Sequence, residues 1–254
     1  MLATQWLSRT NLSTRLVFAH GFTQNSRCWG TFGAACAEKF DVLAVDAPGH
    51  GFSGYDSSNL VEAGGLIVQA AGRGHYVGYS MGGRMLLHAA LNNPGREIRS
   101  LTLIGAHGGI EAEEARVARR NSDAQLAARI VELGTQAFVD EWLAQPMFGD
   151  LTDEQSAKLF RYENAAEGMA ASLRHAGTGS QTPLWEYLPH LQIPVLVIAG
   201  TRDERYTQVG QRMVDTIGSN ARFVAIEGGH AVHLENPVVT AAVVSSWGDQ
   251  LRDR

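Results

Sequence analysis

Six short apolar runs constrain the fold of this chain more than any other sequence feature. Each run is continuous rather than alternating, which is typical of parallel strands covered by helices on both faces. Helical segments alternate with these runs, so we predict an α/β fold built on a mostly parallel, doubly wound sheet. The predicted strands span residues 15–21, 41–51, 75–80, 100–106, 193–200 and 221–229.

The middle of the chain has a different pattern from either end. Runs of β-branched residues are missing over residues 109–181, and the sequence there favours helices. A helical insert between two strands of such a sheet usually covers the functional site, although an ordinary extra helical layer is the alternative. We therefore predict a core made of residues 1–108 and 182–254, with a helical lid over residues 109–181.

Composition favours a soluble globular protein and argues against several classes of function. The net charge is −5 and no Lys/Arg run is present, so we expect no nucleic-acid partner. No apolar stretch approaches the roughly 20 residues that span a bilayer, and the first residues lack a secretory pattern. We expect a cytoplasmic protein without membrane insertion. Cys28 and Cys36 are too few for a disulfide framework or a zinc site, so free thiols are expected.

The pentapeptide Gly78–Gly82, with Ser80 at its centre, matches the G-x-S-x-G pattern of a nucleophile elbow. Ser80 lies where a predicted strand ends and a helix begins, and such a turn exposes a serine above the sheet. The alternative is an ordinary strand–helix turn that Ser80 caps, since a short glycine pattern also arises by chance in a glycine-rich chain.

Two later residues are placed to activate Ser80. A serine hydroxyl needs a neighbouring base, and the base needs an acid to orient it. Asp203 and His230 each follow a predicted strand, and the carboxyl ends of parallel strands meet at one edge of the sheet. We predict that Ser80, Asp203 and His230 form a catalytic triad. Glu204 is the alternative acid and His233 the alternative base.

An oxyanion hole needs two backbone N–H groups aimed at the developing charge. We predict that one comes from Met81, the residue after Ser80, as in other nucleophile elbows. The second is expected from Phe22, which lies in the loop after the first predicted strand.

These motifs resemble the α/β-hydrolase superfamily over nearly the whole chain. The segments LVFAHGFTQNSRCW, GYSMGGR, GTRDERY and GGHAVHLENP, with ARVARRNSDAQ and EWLAQPMF in the predicted lid, resemble one family in particular. That family comprises the 2-succinyl-6-hydroxy-2,4-cyclohexadiene-1-carboxylate (SHCHC) synthases of menaquinone biosynthesis. The resemblance implies a lyase that eliminates pyruvate from 2-succinyl-5-enolpyruvyl-6-hydroxy-3-cyclohexene-1-carboxylate (SEPHCHC). The triad would act as a base, with no metal or organic cofactor.

The resemblance also implies which residues contact the substrate. SEPHCHC carries three carboxylates, and arginine grips a carboxylate through two parallel hydrogen bonds. By this resemblance, the carboxylates are expected to be bound by Arg84, Arg119 and Arg161. The pocket is expected to be lined by Tyr79 and Trp142.

The assignment of the lid arginines has alternatives. Arg116 and Arg120 lie on the same predicted helix as Arg119, and all three could pair with nearby acids on a solvated face. Near Arg161, the spacing also allows Tyr162 to occupy the pocket position instead.

Two other functions are compatible with the same residues. A serine hydrolase would use an acylated Ser80 to cleave an ester, a lactone or a carbon–carbon bond. A ligand-binding receptor on this scaffold would keep only slow turnover. The expected partner is a small-molecule polycarboxylate, and the sequence leaves the oligomeric state open.

Overall fold

The structure is a computed structural model that describes residues 1–10, 14–54, 57–92 and 97–252. A seven-stranded sheet has the strand order β1-β3-β2-β4-β5-β6-β7. Only β1 is antiparallel to its neighbour among these described strands. The strands are β1 Thr4–Ser8, β2 Arg15–Ala19, β3 Asp41–Val45, β4 Gly74–Tyr79, β5 Ile98–Ile104, β6 Val195–Gly200 and β7 Ala221–Ile226.

The predicted α/β fold with a mostly parallel sheet is confirmed. All six predicted strands are present, but β3 ends at Val45 rather than continuing to residue 51. The residues after Val45 include a proline and two glycines, which end the strand and form a loop. Strand β1 was not predicted, because its partly exposed residues form no continuous apolar run.

Helices cover both faces of the sheet. They are α1 Gly30–Ala37, α2 Leu60–Ala71, α3 Met81–Asn92, α4 Glu113–Leu143, α5 Asp153–Ser156, α6 Lys158–Arg161, α7 Ala166–Ala176, α8 Glu204–Ile217, α9 Val232–Glu235 and α10 Pro237–Arg252. Along β2, Val17 and Ala19 pack with residues of α2, α3 and α8. The alternate residues Leu16 and Phe18 pack with α1 and α10 on the opposite face. The side chains of β2 are therefore buried on both faces of the sheet, which explains its continuous apolar run.

Helices α4 to α7 lie in the segment between β5 and β6, where the sequence predicts helices. Helix α4 is interrupted at Gly134, whose φ of 71° is outside the helical region. Helices α4 and α7 share a small apolar cluster that includes Ile130, Phe138 and Met169. Phe22, from the loop after β2, packs against this cluster, so the helices cover the carboxyl edge of the sheet. No helix among the described residues is both long and apolar enough to cross a membrane.

Gly64 lies at a close contact between α2 and α3. A Cβ atom at this position would lie 2.3 Å from the backbone oxygen of Met85. We expect Gly64→Ala to lower the free energy of unfolding by about 1–3 kcal/mol, because steric overlap outweighs the gain in helix propensity. Gly65 is the matched control, since it is exposed and has no atom within 4 Å of a built Cβ.

Gly65→Ala should raise the free energy of unfolding by about 0.5–1 kcal/mol through helix propensity alone. Urea denaturation of both variants beside the parent protein measures the two effects. The close packing of α2 on α3 would be contradicted if the two substitutions changed stability in the same direction and by the same amount.

Candidate active site

Ser80 lies in a sharp turn directly between β4 and α3. Its φ of 48° is in the left-handed region, which is unusual for a residue other than glycine. The Ser80 N–H donates to the Ile104 carbonyl oxygen (2.8 Å), which holds the turn against β5. A Cβ on Gly82 would lie 2.2 Å from the Ala19 carbonyl oxygen, so only glycine fits there. This is the backbone conformation that the nucleophile-elbow prediction requires.

Ser80, His230 and Asp203 lie in one hydrogen-bonded line. Nδ1 of His230 lies 2.8 Å from Oδ2 of Asp203, and Nε2 of His230 lies 3.4 Å from Oγ of Ser80. The other oxygen of Asp203 accepts from the N–H of Tyr206 (3.3 Å), so Asp203 caps the N-terminus of α8. A carboxylate is favoured at this end of a helix. An ionised Asp203 favours the tautomer with a proton on Nδ1, which leaves Nε2 free to accept from Ser80.

The two alternative triad members occupy other places. Glu204 is exposed at the start of α8. His233 is completely buried, and its ring centroid lies 4.3 Å from that of Tyr79. Neither ring nitrogen of His233 has a hydrogen-bond partner among the described residues. Burial lowers the pKa of His233 to about 3. The geometry therefore favours His230 over His233 as the base.

The N–H groups of Phe22 and Met81 are available beside Ser80. Neither group donates to another described residue. Met81 is the first residue of α3, where helical N–H groups have no partner within the helix. The Gly82 N–H donates to the His20 carbonyl oxygen (3.0 Å), which joins the Phe22 loop to the elbow. Phe22, Met81 and Ser80 all line the same cavity, so an oxyanion could be bound there.

A cavity of about 340 Å³ opens at Ser80 and His230. Its walls come from the carboxyl edge of the sheet and from α4, α6 and α7. All five residues that the sequence assigns to substrate binding line this cavity: Tyr79, Arg84, Arg119, Trp142 and Arg161.

Arg84 and Arg161 are buried cations of this cavity, with 6% and 1% of their surface exposed. Nη1 of Arg84 donates to the Ala176 carbonyl oxygen (3.1 Å). Arg161 donates through Nε to the Ser156 carbonyl oxygen (2.7 Å) and through Nη1 to the Thr23 hydroxyl. Within the described part of the chain, no carboxylate lies within 4.0 Å of either guanidinium. Burial lowers the pKa of Arg84 to about 10, so the group is still charged at neutral pH.

The three arginines near the start of α4, within the predicted lid, fall into two groups. Arg119 lines the cavity while its Nε contacts Oδ1 of Asp123 (2.7 Å). Arg116 and Arg120 both pair with Glu113 and do not line the cavity. The alternative to Arg161 also lies elsewhere, because the hydroxyl of Tyr162 donates to Asp140 on an exposed surface.

Arg205 and Tyr206 also line the cavity beside His230, and the sequence did not predict either of them. Both follow Asp203 in the first turn of α8. The Tyr206 ring centroid lies 4.6 Å from that of His230, so the tyrosine covers the imidazole. Burial raises the pKa of the Tyr206 hydroxyl. Their signal in the sequence was the motif GTRDERY, whose last two residues lie one helical turn from the acid.

The lining of the cavity carries an excess of positive charge. Among the described residues that line the cavity, four are arginines and one is an aspartate, and none is a lysine or a glutamate. Three positive charges are therefore unbalanced, and an anionic ligand with several carboxylates would match them. The described residues contain no group of three or more His, Cys, Asp or Glu side chains arranged for a metal ion.

Comparison with known proteins assigns the class. The sequence model of the alpha/beta hydrolase family matches residues 16–243. The chain therefore belongs to the alpha/beta hydrolase family.

Individual relatives of this chain carry a more specific name than the family does. Two of them, from Salmonella agona (strain SL483) and Salmonella paratyphi B (strain ATCC BAA-1250 / SPB7), are named 2-succinyl-6-hydroxy-2,4-cyclohexadiene-1-carboxylate synthase. They are 32% and 34% identical to this chain, over 99% of this chain and 99% of their own length.

Solved structures agree with this fold. MenH from S. aureus superimposes with a TM-score of 0.89 and 28% identity, over 98% of each chain. The enol-lactonase from Burkholderia xenovorans LB400 gives a TM-score of 0.78 over 96% of this chain and 95% of its own. At 21% identity, that second likeness extends to the fold alone.

The buried His233 should make the stability of the protein depend on pH. Its pKa is about 3 in the folded protein, against a usual value of 6.5. Between these values the unfolded chain binds one more proton than the folded chain, so stability falls as the pH falls below 6.5. We expect His233→Phe to reduce this slope by about 1.4 kcal/mol per pH unit between pH 6 and pH 4.

Urea denaturation of the parent and the His233→Phe variant at several pH values measures the two slopes. Equal slopes would contradict the conclusion that the His233 ring is held neutral by burial.

Proposed function

We propose that this protein is an SHCHC synthase, which eliminates pyruvate from SEPHCHC. The observation that carries the proposal is the cavity at Ser80, whose lining has three unbalanced positive charges. SEPHCHC has three carboxylates, so its charge matches that of the lining. The full-length relatives with this name support the same proposal.

Substrate binding would use the buried arginines first. Arg84 reaches the cavity from the helix after the elbow, and Arg161 reaches it from α6. Each guanidinium has five N–H donors in total, and the bonds described above leave most of them unused. Carboxylates of the substrate would accept from the remaining donors and fix the ring beside Ser80. This positioning turns proton abstraction into an effectively unimolecular step.

The first chemical step would be removal of a ring proton beside the succinyl carbonyl. Ser80 accepts this proton as its own hydroxyl proton passes to Nε2 of His230. Asp203 stabilises the resulting imidazolium through Nδ1–H. The electron pair of the broken C–H bond moves toward the carbonyl oxygen. The Phe22 and Met81 N–H groups stabilise that negative charge.

The second step would break the bond between the ring carbon and the enolpyruvyl oxygen. The electron pair returns from the carbonyl oxygen to form a double bond between ring carbons 2 and 3. The existing double bond shifts from carbons 3 and 4 to carbons 4 and 5, and enolpyruvate leaves from carbon 5. His230 returns its proton to the departing group, which becomes pyruvate, and the triad regains its starting protonation. No water is added, so the reaction is an elimination rather than a hydrolysis.

The helices over the cavity would support elimination by limiting access of water. We propose that residues 109–181 act as a lid, because Trp142 and Phe148 from this segment line the cavity. Their rings pack together with a centroid distance of 5.9 Å. An apolar cover strengthens the electrostatic interactions beneath it and disfavours attack by water.

The proposal predicts that Ser80 is required for pyruvate release. We expect Ser80→Ala to lower kcat for SEPHCHC at least about a hundredfold, since general-base catalysis contributes about 10²–10⁴-fold. A coupled assay of pyruvate, with SEPHCHC generated enzymatically and spontaneous elimination subtracted, measures the rate. A nitrophenyl acetate assay on the same samples is the control for hydrolase activity.

The same experiment separates the lyase from the hydrolase. Fast pyruvate release with slow ester turnover supports the lyase. Pyruvate release no faster than the spontaneous reaction, together with fast ester turnover that requires Ser80, would contradict it.

A further inference from the structure

The Glu235 carboxylate lies directly behind the loop that carries His230. Glu235 ends helix α9, and only 6% of its side chain is exposed. The Gly229 N–H, one residue before His230, donates to Oε2 of Glu235 (2.6 Å). A Cβ on Gly229 would lie 3.0 Å from Oε1 of Glu235, so the carboxylate rests against the backbone there. The Glu235 carboxylate therefore contacts the backbone of Gly229 directly.

Arg202 joins the same carboxylate to the loop of Asp203. Nη2 of Arg202 lies 2.8 Å from Oε2 of Glu235. The Arg202 N–H also donates to the Gly228 carbonyl oxygen (2.9 Å). A backbone hydrogen bond and the Arg202–Glu235 ion pair thus both connect the loop of Asp203 to the loop of His230. Both connections lie within two residues of Asp203 or His230.

The other partners of Arg202 are much more exposed than Glu235. Arg202 also pairs with Glu227 and with Asp150, whose side chains are 71% and 64% exposed. Ion pairs between exposed groups contribute little, whereas a buried carboxylate needs its partners. Of the three acids around Arg202, Glu235 is therefore the one whose loss should disturb the local structure.

We propose that Glu235 is a positioning residue for His230, acting through the Gly229 N–H and Arg202. The distance from Nε2 of His230 to Oγ of Ser80 is already 3.4 Å, near the upper limit of a hydrogen bond. A small outward shift of Gly229 would break that contact, and a misplacement of about 1 Å can lower a rate about a hundredfold. The inference rests on the proposed roles of Ser80 and His230, but it does not depend on the identity of the substrate.

The test measures the reactivity of Ser80 directly. A fluorophosphonate probe labels an activated serine, and its second-order rate constant reports the Ser80–His230 contact without any substrate. We expect Glu235→Ala to lower this rate constant about 10- to 100-fold. Glu235→Gln keeps an oxygen that accepts from the Gly229 N–H, so its rate constant should stay within about threefold of the parent value.

Two matched controls remove the exposed partners of the same arginine. Glu227→Gln and Asp150→Asn should each change the labelling rate less than about twofold.

Kinetics with SEPHCHC give a second readout. Glu235→Ala should lower kcat and leave KM nearly unchanged, because Glu235 does not line the cavity. Circular dichroism at the assay temperature checks that each variant is folded. If Glu235→Ala does not fold, Arg202→Gln takes its place. Its expected drop is at least about fivefold, because the buried Glu235 carboxylate then keeps its charge without its cation, which Glu235→Gln avoids.

Each result has one meaning. A folded Glu235→Ala protein that labels at the parent rate would overturn the inference, and so would an equal loss in the two control variants. A parent protein that the probe does not label would instead contradict the proposed role of Ser80, whatever the variants do. Slow labelling of Glu235→Ala, with recovery in Glu235→Gln, supports the inference.

Discussion

The hydrogen-bonded register of four neighbouring parallel strands, β4 to β7, holds the candidate site together. Near their carboxyl ends, Tyr79 pairs with Ile104, and Gly200 pairs with Ile226. The residues of the proposed triad follow these ends and therefore meet at one edge of the sheet. A slip of one residue in this register would turn each strand's side chains to the opposite face. Burial of β4, β5 and β6 on both faces, with β7 paired to β6, thus fixes the position of the loops that carry Ser80, Asp203 and His230.

The two buried guanidiniums place a second constraint on the molecule. Arg84 and Arg161 are removed from water without a carboxylate partner among the described residues, which is unfavourable for the folded protein. Carbonyl and hydroxyl oxygens satisfy only some of their donors. A polycarboxylate would bind strongly, because its oxygens would accept hydrogen bonds from the remaining N–H donors. The two guanidiniums would therefore lower the stability of the folded protein while they raise its affinity for a polycarboxylate.

The sequence predicted the sheet and the proximity of the triad residues better than it predicted the rest of the site. Continuous apolar runs defined six strands, but the short edge strand Thr4–Ser8 has no such run. The order of Ser80, Asp203 and His230 was sufficient to predict their proximity, since each follows a strand end. Spacing could not decide which arginines of α4 and α6 turn inward, because that depends on how the helices pack. For the same reason Arg205 and Tyr206 were missed: only the orientation of α8 turns them toward the cavity.

Binding of a dicarboxylate to the Ser80→Ala variant tests the central claim most directly, because the cavity is proposed to recognise carboxylates. The probe is 2-succinylbenzoate, whose six-membered ring and two carboxylates resemble the proposed product, and its dimethyl ester is the neutral control. Isothermal titration calorimetry should give a Kd at least about a hundredfold lower for the acid, since each charge-assisted hydrogen bond contributes about 1.5–3 kcal/mol. Equal affinity for the acid and the ester would contradict the account.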